Sequence, residues 1–450
     1  MNKITILGGG GVRTPLLIHG LAQARETLGL RELCLFDLDT ERAGIIARLG
    51  RTIVRDGFEI TVQSDLSAAV SGASVVLNSV RVGGIAGRAR DERLAIEHGL
   101  AGQETTGPGG AAMALRTLPV TLAHARTVER VAPGAWFVNF TNPAGLITQA
   151  LTQNTSLRVI GICDTPSELF HRIGETLGLA PHEVEFDYAG LNHLGWVRRV
   201  MYHGEDQMPR LLADPALLRR LYPADLFDPA LIQALGLIPT EYLFFYYSQR
   251  KAYRNQLRAG ASRGEEIARM NTSLFAQLAA EPDQQALATY RHYLLQRNAS
   301  YLKLEAEAGS AFQSTRDDYN PFETATGYHK IALEVITGLV AGAPRSVVLN
   351  VPNRNAIPDL LPEDVVEVPC DIDRGGPRPR PSGLLPRPVR GLVESVKQYE
   401  RRLIDASLTG SRAQARLALM EYPIIGGWES AGELLDALIA ADPEHLGYLM

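Results

Sequence analysis

The sequence has little cysteine, few aromatic residues and almost no surplus charge of either sign. Its three cysteines, Cys34, Cys163 and Cys370 in 450 residues, are too few and too scattered for a disulfide framework. Lys plus Arg number 45 against 50 Asp plus Glu, a net charge of −5. The basic excess of a nucleic-acid-binding chain is therefore missing. No apolar run approaches the ~20 residues that a membrane helix needs. The opening MNKITILGGGG reads as a strand running into glycines, with no small-residue cleavage site of a secretory leader. Internal repeats and low-complexity tails are absent as well. What remains is an ordinary globular composition, 45% hydrophobic and 21% charged. At roughly 100–200 residues per domain the length suits two domains, and a chain this long buries a core without staples. These exclusions leave a cytoplasmic enzyme with a small-molecule substrate, and neither nucleic acid nor membrane as partner.

The first half alternates. Lys3–Leu7 is a short apolar strand, Gly8–Gly11 a glycine run, and Leu16–Gly29 has helical periodicity. Leu33–Leu38 is a continuous apolar strand of the buried parallel kind, followed by a helix at Thr40–Arg55 and strands near Glu59–Val62, Ser74–Ser79, Trp136–Phe140 and Val159–Cys163. Such β-α alternation predicts an α/β fold built on a Rossmann-like, doubly wound parallel sheet. After residue 183 the pattern changes. Val184–Ala189 and Trp196–Tyr202 read as an antiparallel pair around Gly190–His193, and residues 207–316 as mostly helical. Two further strands are expected at Ser346–Val351 and Val365–Pro369. Asp371–Pro388, dense in proline and glycine, reads as a loop, with helix from Arg390. The predicted division is 1–183, a nucleotide-binding domain, and 184–450, a mixed and largely helical α+β substrate domain.

The turn Gly8-Gly9-Gly10-Gly11-Val12-Arg13 joins the first strand to the first helix. Glycines there let the backbone approach a pyrophosphate, and the helix N-terminus favours an anion. Asp37, closing the second strand, is placed to bond a ribose 2′-hydroxyl, which selects NAD over NADP. The third glycine of the usual spacing is missing, so the match is incomplete. Farther on, Cys163 ends a predicted parallel strand and His193 sits in a short turn. Alone, each reads equally as a packed core cysteine and a structural histidine. As a thiolate–imidazole pair they favour zinc by ligand softness.

The blocks RVGG at 81–84, GQETTGPGG at 102–110, NFTNPAG at 139–145, GICDTP at 161–166 and GLNHLGW at 190–196 stand in one order along the chain. With ITILGGGGVRTPLLIHGL they resemble glycoside hydrolase family 4, the NAD- and metal-dependent glycosidases, and within it the 6-phospho-β-glucosidase branch. The resemblance spans almost the whole chain. It implies a lactate/malate dehydrogenase-like fold and a chemistry outside two-carboxylate glycoside hydrolysis. In that chemistry NAD oxidises the sugar at C3, a base removes the acidified C2 proton, and the aglycone is eliminated. Water then adds and the hydride returns.

Position by position, the resemblance implies Cys163 and His193 as ligands of a divalent metal, usually Mn2+, in place of zinc. Tyr242, in IPTEYLFFYY, matches the base for the C2 proton, and Asp164 is a candidate acid for the leaving oxygen. Asn142, Glu104 and Asn192 are expected at the sugar. Arg263 falls where the family has an arginine for the 6-phosphate, a group suited to a bidentate guanidinium. Arg81 and Arg88 are further candidates for phosphate or cofactor, and the cofactor set is Gly8, Gly9, Gly10, Gly11, Val12, Arg13, Asp37 and Arg81. Relatives form homodimers or homotetramers, and the phosphorylated sugar is the expected small-molecule partner.

Two departures bear on the reading. Asp164 follows the ligand cysteine where β-specific members usually carry Asn and α-specific ones Asp. Arg13-Thr14 replaces the Ser-Tyr or Thr-Tyr of many relatives. The alternatives are a family member acting on α-glycosides, a 2-hydroxy acid dehydrogenase of the lactate/malate type, and a non-catalytic NAD sensor. The dehydrogenase needs no cysteine–histidine metal site, and the sensor would not need Cys163, His193, Tyr242 and Asn142 together.

Overall fold

A computed structural model describes residues 2–222, 224–301, 320–342 and 345–450. The part of the expected helical stretch from 302 to 316 lies outside the described residues. Among the described residues thirteen strands form one sheet. In chain order they are β1 (Lys3–Leu7), β2 (Glu32–Phe36), β3 (Glu59–Gln63), β4 (Val75–Asn78), β5 (Trp136–Asn139), β6 (Arg158–Gly161), β7 (Val184–Leu191), β8 (Leu194–Tyr202), β9 (Glu205–Asp206), β10 (Ile238–Pro239), β11 (Arg345–Pro352), β12 (Val365–Asp373) and β13 (Gly376–Pro379).

The first six strands are parallel and run β3-β2-β1-β4-β5-β6 across the sheet. This is the dinucleotide-binding order, whose reversal between β1 and β4 opens a crevice at the carboxyl ends of the strands. Residues such as Ile4, Leu33, Leu35, Val76, Leu77, Phe137 and Val138 are buried, as both faces of a helix-covered parallel sheet require. The sheet does not stop at β6. It continues as β11, β12, β7, β8 and β10, all antiparallel, joined to the parallel half by the single pairing of Asn350 with Gly161. The expected doubly wound sheet is thus present, but it is one flank of a larger mixed sheet.

Three local expectations are corrected. The second strand ends at Phe36 instead of Leu38, because Asp37 turns out to accept the Gly10 N–H at 2.8 Å and Leu38 is left 87% exposed. The segment expected as a loop over Asp371–Pro388 instead extends β12 to Asp373 and returns as β13, with Asp371 opposite Arg378. Pro377 and Pro379 are tolerated because β13 is an edge strand with one partner. The following helix starts at Arg387, with Pro388 in its first turn, where a missing N–H costs nothing. Finally, the mostly helical region includes β10, paired with β8.

Candidate active site

The glycine turn is shaped by close approach. A Cβ on Gly8, whose φ is +82°, would lie 2.5 Å from the Ser79 carbonyl oxygen, and one on Gly9 would lie 2.7 Å from the Leu35 Cβ. The turn is therefore pressed against β2 and β4 at the crevice. Asp37 holds it there through Gly10, and its other oxygen accepts the Asp39 N–H. Val12 packs among Leu49, Leu274 and Tyr290 while its carbonyl accepts the Tyr290 hydroxyl. The helix Thr14–Gln23 follows, with its N-terminus at the turn.

Arg13 links this turn to the rest of the site. Its guanidinium lies over the Tyr328 ring and 3.9 Å from the Asp164 carboxylate, and the Tyr328 hydroxyl bonds Ser79. Asp164 occupies the N-cap of the helix Thr165–Leu177, yet its side chain makes no capping bond. An N-cap aspartate ordinarily bonds the second or third helical N–H; here the carboxylate lies beside Arg13 instead.

Next to it, the Cys163 Sγ is 3.4 Å from the His193 Nε2. His193 forms the two-residue turn between β7 and β8 at φ +60°, a left-handed conformation that costs a non-glycine residue about 1 kcal/mol or more and is found at functional sites. Its tautomer follows from its neighbours. The Thr105 hydroxyl donates its only proton to the Gln103 Oε1 at 2.8 Å, so it accepts from His193 Nδ1–H at 2.9 Å. That leaves the Nε2 lone pair aimed at Cys163. Burial lowers the imidazole to about 4, keeping it neutral at pH 7. Burial, with Glu367 and Asp164, pushes the Cys163 thiol well up, so this sulfur gives up its proton only to a cation. A separation of 3.4 Å suits two donors each ~2.0–2.3 Å from one divalent ion. Among the described residues no third His, Cys, Asp or Glu joins them.

Thr105 and Gln103 are positioned by the glycines of the same block. A Cβ on Gly109 or Gly110 would collide with the Gln103 or Thr105 carbonyl; without side chains, the loop folds onto the first turn of the helix Gly107–Val131. Replacing Thr105 by Val removes the acceptor that fixes the imidazole, and divalent-ion affinity should fall ~10–100-fold. Calorimetric titration with Mn2+ measures this; unchanged affinity would dismiss the role of Thr105.

Tyr242 stacks on His193, with ring centroids 3.7 Å apart and planes within 10°. Burial, with Glu104, Glu241 and Cys163, raises its phenol well above 10. Opposite lies an arginine group around Glu104. Arg81 and Arg88 bond its carboxylate at 2.6 and 2.7 Å, and Arg13 and Arg297 are close enough to act on it electrostatically. Burial alone would raise the Glu104 carboxyl, but Arg88, Arg81, Arg13 and Arg297 together hold it well below the usual carboxylate range. Arg88 is tied a second time to Glu92, whose other oxygen accepts the Gly264 N–H.

Two expected substrate residues are spent on the scaffold. The Arg263 guanidinium bonds the Ser300 hydroxyl, the Arg297 carbonyl and Glu266, bracing one helix against the end of the next. The arginine this helix pair brings to Glu104 is Arg297, which the sequence reading did not single out. Asn192 accepts from the Ala144 N–H and donates to Glu367, stitching the His193 turn to β12. Asn142, just before it in space, accepts from that same Ala144 N–H. Gln103 and Thr105 sit inside a block the sequence reading already quoted, beside the chosen residues. Arg297 carries no local signal at all; only the packing of the helix Asp283–Ala299 brings it in.

Comparison with known proteins gives the family. Residues 3–179 match the model of the family 4 glycosyl hydrolases and residues 188–425 that of the family 4 C-terminal domain. A probable 6-phospho-beta-glucosidase of Bacillus subtilis is 31% identical over 99% of this chain and 97% of its own. The 6-phospho-beta-glucosidase of Thermotoga maritima, solved with manganese, NAD+ and glucose-6-phosphate, superposes with a TM-score of 0.82 at 26% identity, covering 99% of both chains. A 6-phospho-alpha-glucosidase from gut microorganisms, solved with NAD and glucose-6-phosphate, gives 0.78 at 25% identity over 98% of each. The chain belongs to glycosyl hydrolase family 4.

Proposed function

We propose that this protein hydrolyses 6-phospho-β-glucosides with NAD and a divalent metal, Mn2+ by preference. The observation that carries the reading is the thiol–imidazole pair, 3.4 Å apart under the Tyr242 ring and joined to the glycine turn through Asp164 and Arg13. A thiol–imidazole pair with no third His, Cys, Asp or Glu among the described residues suits a labile ion completed by sugar oxygens, whereas closed four-ligand sites are the mark of structural zinc. In this reading the first 183 residues bind the dinucleotide and the remainder supplies His193, Tyr242 and the helical wall.

Held at the glycine turn, NAD would supply hydride exchange at C3, and a divalent ion held by Cys163 and His193 would supply polarisation of the oxygen there. The chain's own groups do the rest. Tyr242 removes the C2 proton. Asp164, free of its capping bond, hands a proton to the departing oxygen. Glu104, ionised, cannot donate; it holds Arg81, Arg88, Arg13 and Arg297 in a group whose charge suits a sugar phosphate. The two substrate relatives of opposite anomeric class leave Asp164 as the residue favouring a second, α-specific reading.

The test is a substrate panel. Nitrophenol should be released from p-nitrophenyl 6-phospho-β-glucoside only with both NAD+ and Mn2+ present and without net NADH. The α anomer should be slower. The unphosphorylated glucoside should lose roughly 10–100-fold in kcat/KM, as the loss of charged hydrogen bonds implies. Stoichiometric NADH accumulation without cleavage would mark a dehydrogenase instead.

A further inference from the structure

The thiol–imidazole pair is held together across two narrow joins in the sheet. Cys163 lies two residues beyond Gly161 at the end of β6, and His193 three beyond Gly190 in β7. Between these strands stand β11 and β12. Among the described residues β6 meets β11 only where Gly161 faces Asn350, and β12 meets β7 only where Glu367 faces Gly190. Asn350 and Glu367 are themselves opposite in the β11–β12 ladder, so one row, Gly161–Asn350–Glu367–Gly190, spans the gap. Glycine closes it at each end because the approach is tight. A Cβ on Gly161 would lie 2.8 Å from the Asn350 Cβ, and one on Gly190 2.3 Å from the Leu194 carbonyl oxygen.

Backbone pairing this sparse leaves the fit of the two halves to side chains. Asn350 and Glu367, the two side chains of the row, are each 1% exposed. Glu367 Oε1 accepts from Asn350 Nδ2 at 3.0 Å and from Asn192 Nδ2 at 3.1 Å, while Oε2 accepts from the Tyr188 hydroxyl at 2.6 Å. Asn192 immediately precedes His193, and its own oxygen accepts the Ala144 N–H. A single carboxylate thus grips β11, β7 and the turn that carries the imidazole. Its charge also acts on the Cys163 thiol, and a negative charge near the pair favours a cation between them.

We propose that Glu367, acting through Asn192, is a positioning residue of the divalent-ion site, holding the His193 imidazole against Cys163 at ion-binding distance. The inference rests on the metal-dependent reading above and deepens it. A carboxylate only accepts, so donors from two strands and a turn all come to it, and each left unpaired in the interior would cost ~1–3 kcal/mol. The turn has most need of such a hold. His193 sits there at a φ of +60°, an uncommon conformation for a non-glycine residue that persists where the surroundings impose it. Asn192, tied to Glu367 on one side and to Ala144 on the other, supplies those surroundings.

The experiment measures ion binding, with no sugar present, on the unaltered protein, Glu367→Gln, Asn192→Ala and the double variant. Mn2+ and NAD+ affinities are read by calorimetry, and the thiolate-to-metal charge-transfer band at saturating Co2+. A glutamine has one accepting end, so it cannot accept from Tyr188 and from the two asparagines at once. Mn2+ affinity should fall about 10-fold or more in Glu367→Gln and in Asn192→Ala. NAD+ affinity should stay within about twofold, because the glycine turn after β1 lies in the parallel half. The cobalt band should shift or weaken even at saturation, which a loss of stability alone does not cause. Since both residues act on one turn, the double variant should bind Mn2+ about as weakly as the weaker single variant. Unchanged Mn2+ affinity, an unmoved cobalt band, a loss shared equally by NAD+, or losses that simply add in the double variant would each overturn the proposal. Should Glu367→Gln fail to fold, Asn192→Ala cuts the same link at a partly buried residue, and unchanged affinity there is equally fatal. An unaltered protein that binds neither Mn2+ nor Co2+ overturns instead the metal-dependent reading, and the proposal with it.

Discussion

Cys163→Ser should leave a folded protein that binds no divalent ion and turns over at least ~10³-fold more slowly. Loss of Lewis-acid polarisation is worth several kcal/mol, and each ~1.4 kcal/mol is a factor of ten. The substitution is nearly isosteric, and Cys163 is only partly buried just beyond β6, so the sheet should tolerate it. The chemistry does not tolerate it, because a serine hydroxyl does not ionise to serve a cation as a thiolate does. Metal content of the purified variant, measured beside its rate at saturating NAD+ and Mn2+, decides the matter. Wild-type metal content in the variant would show that the ion sits elsewhere. Full metal loss with full activity would show that the reaction does without it.

Tyr242→Phe should separate the redox half of the reaction from the elimination. The phenyl ring keeps the 3.7 Å stack on His193, so metal affinity should hold. Without the hydroxyl, C2 deprotonation should slow by ~10²–10⁴-fold, the usual contribution of a positioned general base. Oxidation at C3 needs no C2 base, so mixing the variant with substrate should leave reduced cofactor on the enzyme and an unbroken glycoside. The wild type, in contrast, should exchange C2 deuterium with solvent during turnover. A variant that releases aglycone at the normal rate and still exchanges C2 would move the base to another residue.

The two predictions meet at His193. One removes its partner in ion binding, the other a group stacked on its face. Thr105 acts on the third side, through Nδ1. A fall in ion affinity for Cys163→Ser and Thr105→Val but not for Tyr242→Phe would separate the ion-holding contacts from the proton-transferring one.

The parallel half was legible because its signals are local: short apolar strands, helices of 3.6 periodicity, and glycines where a strand turns into a helix. Leu33–Phe36 announces itself by its own side chains, while its last residue does not. Asp37 leaves the strand to hold Gly10, a partner 27 positions away. The β12–β13 hairpin was missed for a similar reason. Its prolines forbid a central strand, and only the tertiary pairing shows that β13 has a free edge.

Chemistry divides in the same way. Cys163, His193, Tyr242 and Glu104 stood out through motifs that resemble those of family 4, since alone a cysteine or a histidine reads equally as part of the core. Which of their neighbours matter depends on hydrogen bonds between distant segments, and those have no signature in spacing. Thus Arg263 braces two helices while Arg297 acts electrostatically on Glu104, Asn192 binds the scaffold and Thr105 sets a tautomer. The sequence by itself determined the kinds of reactive group and the β-α alternation of the parallel half. Only the packed structure decided which way each polar side chain turns, because that choice goes to whichever partner burial leaves within reach.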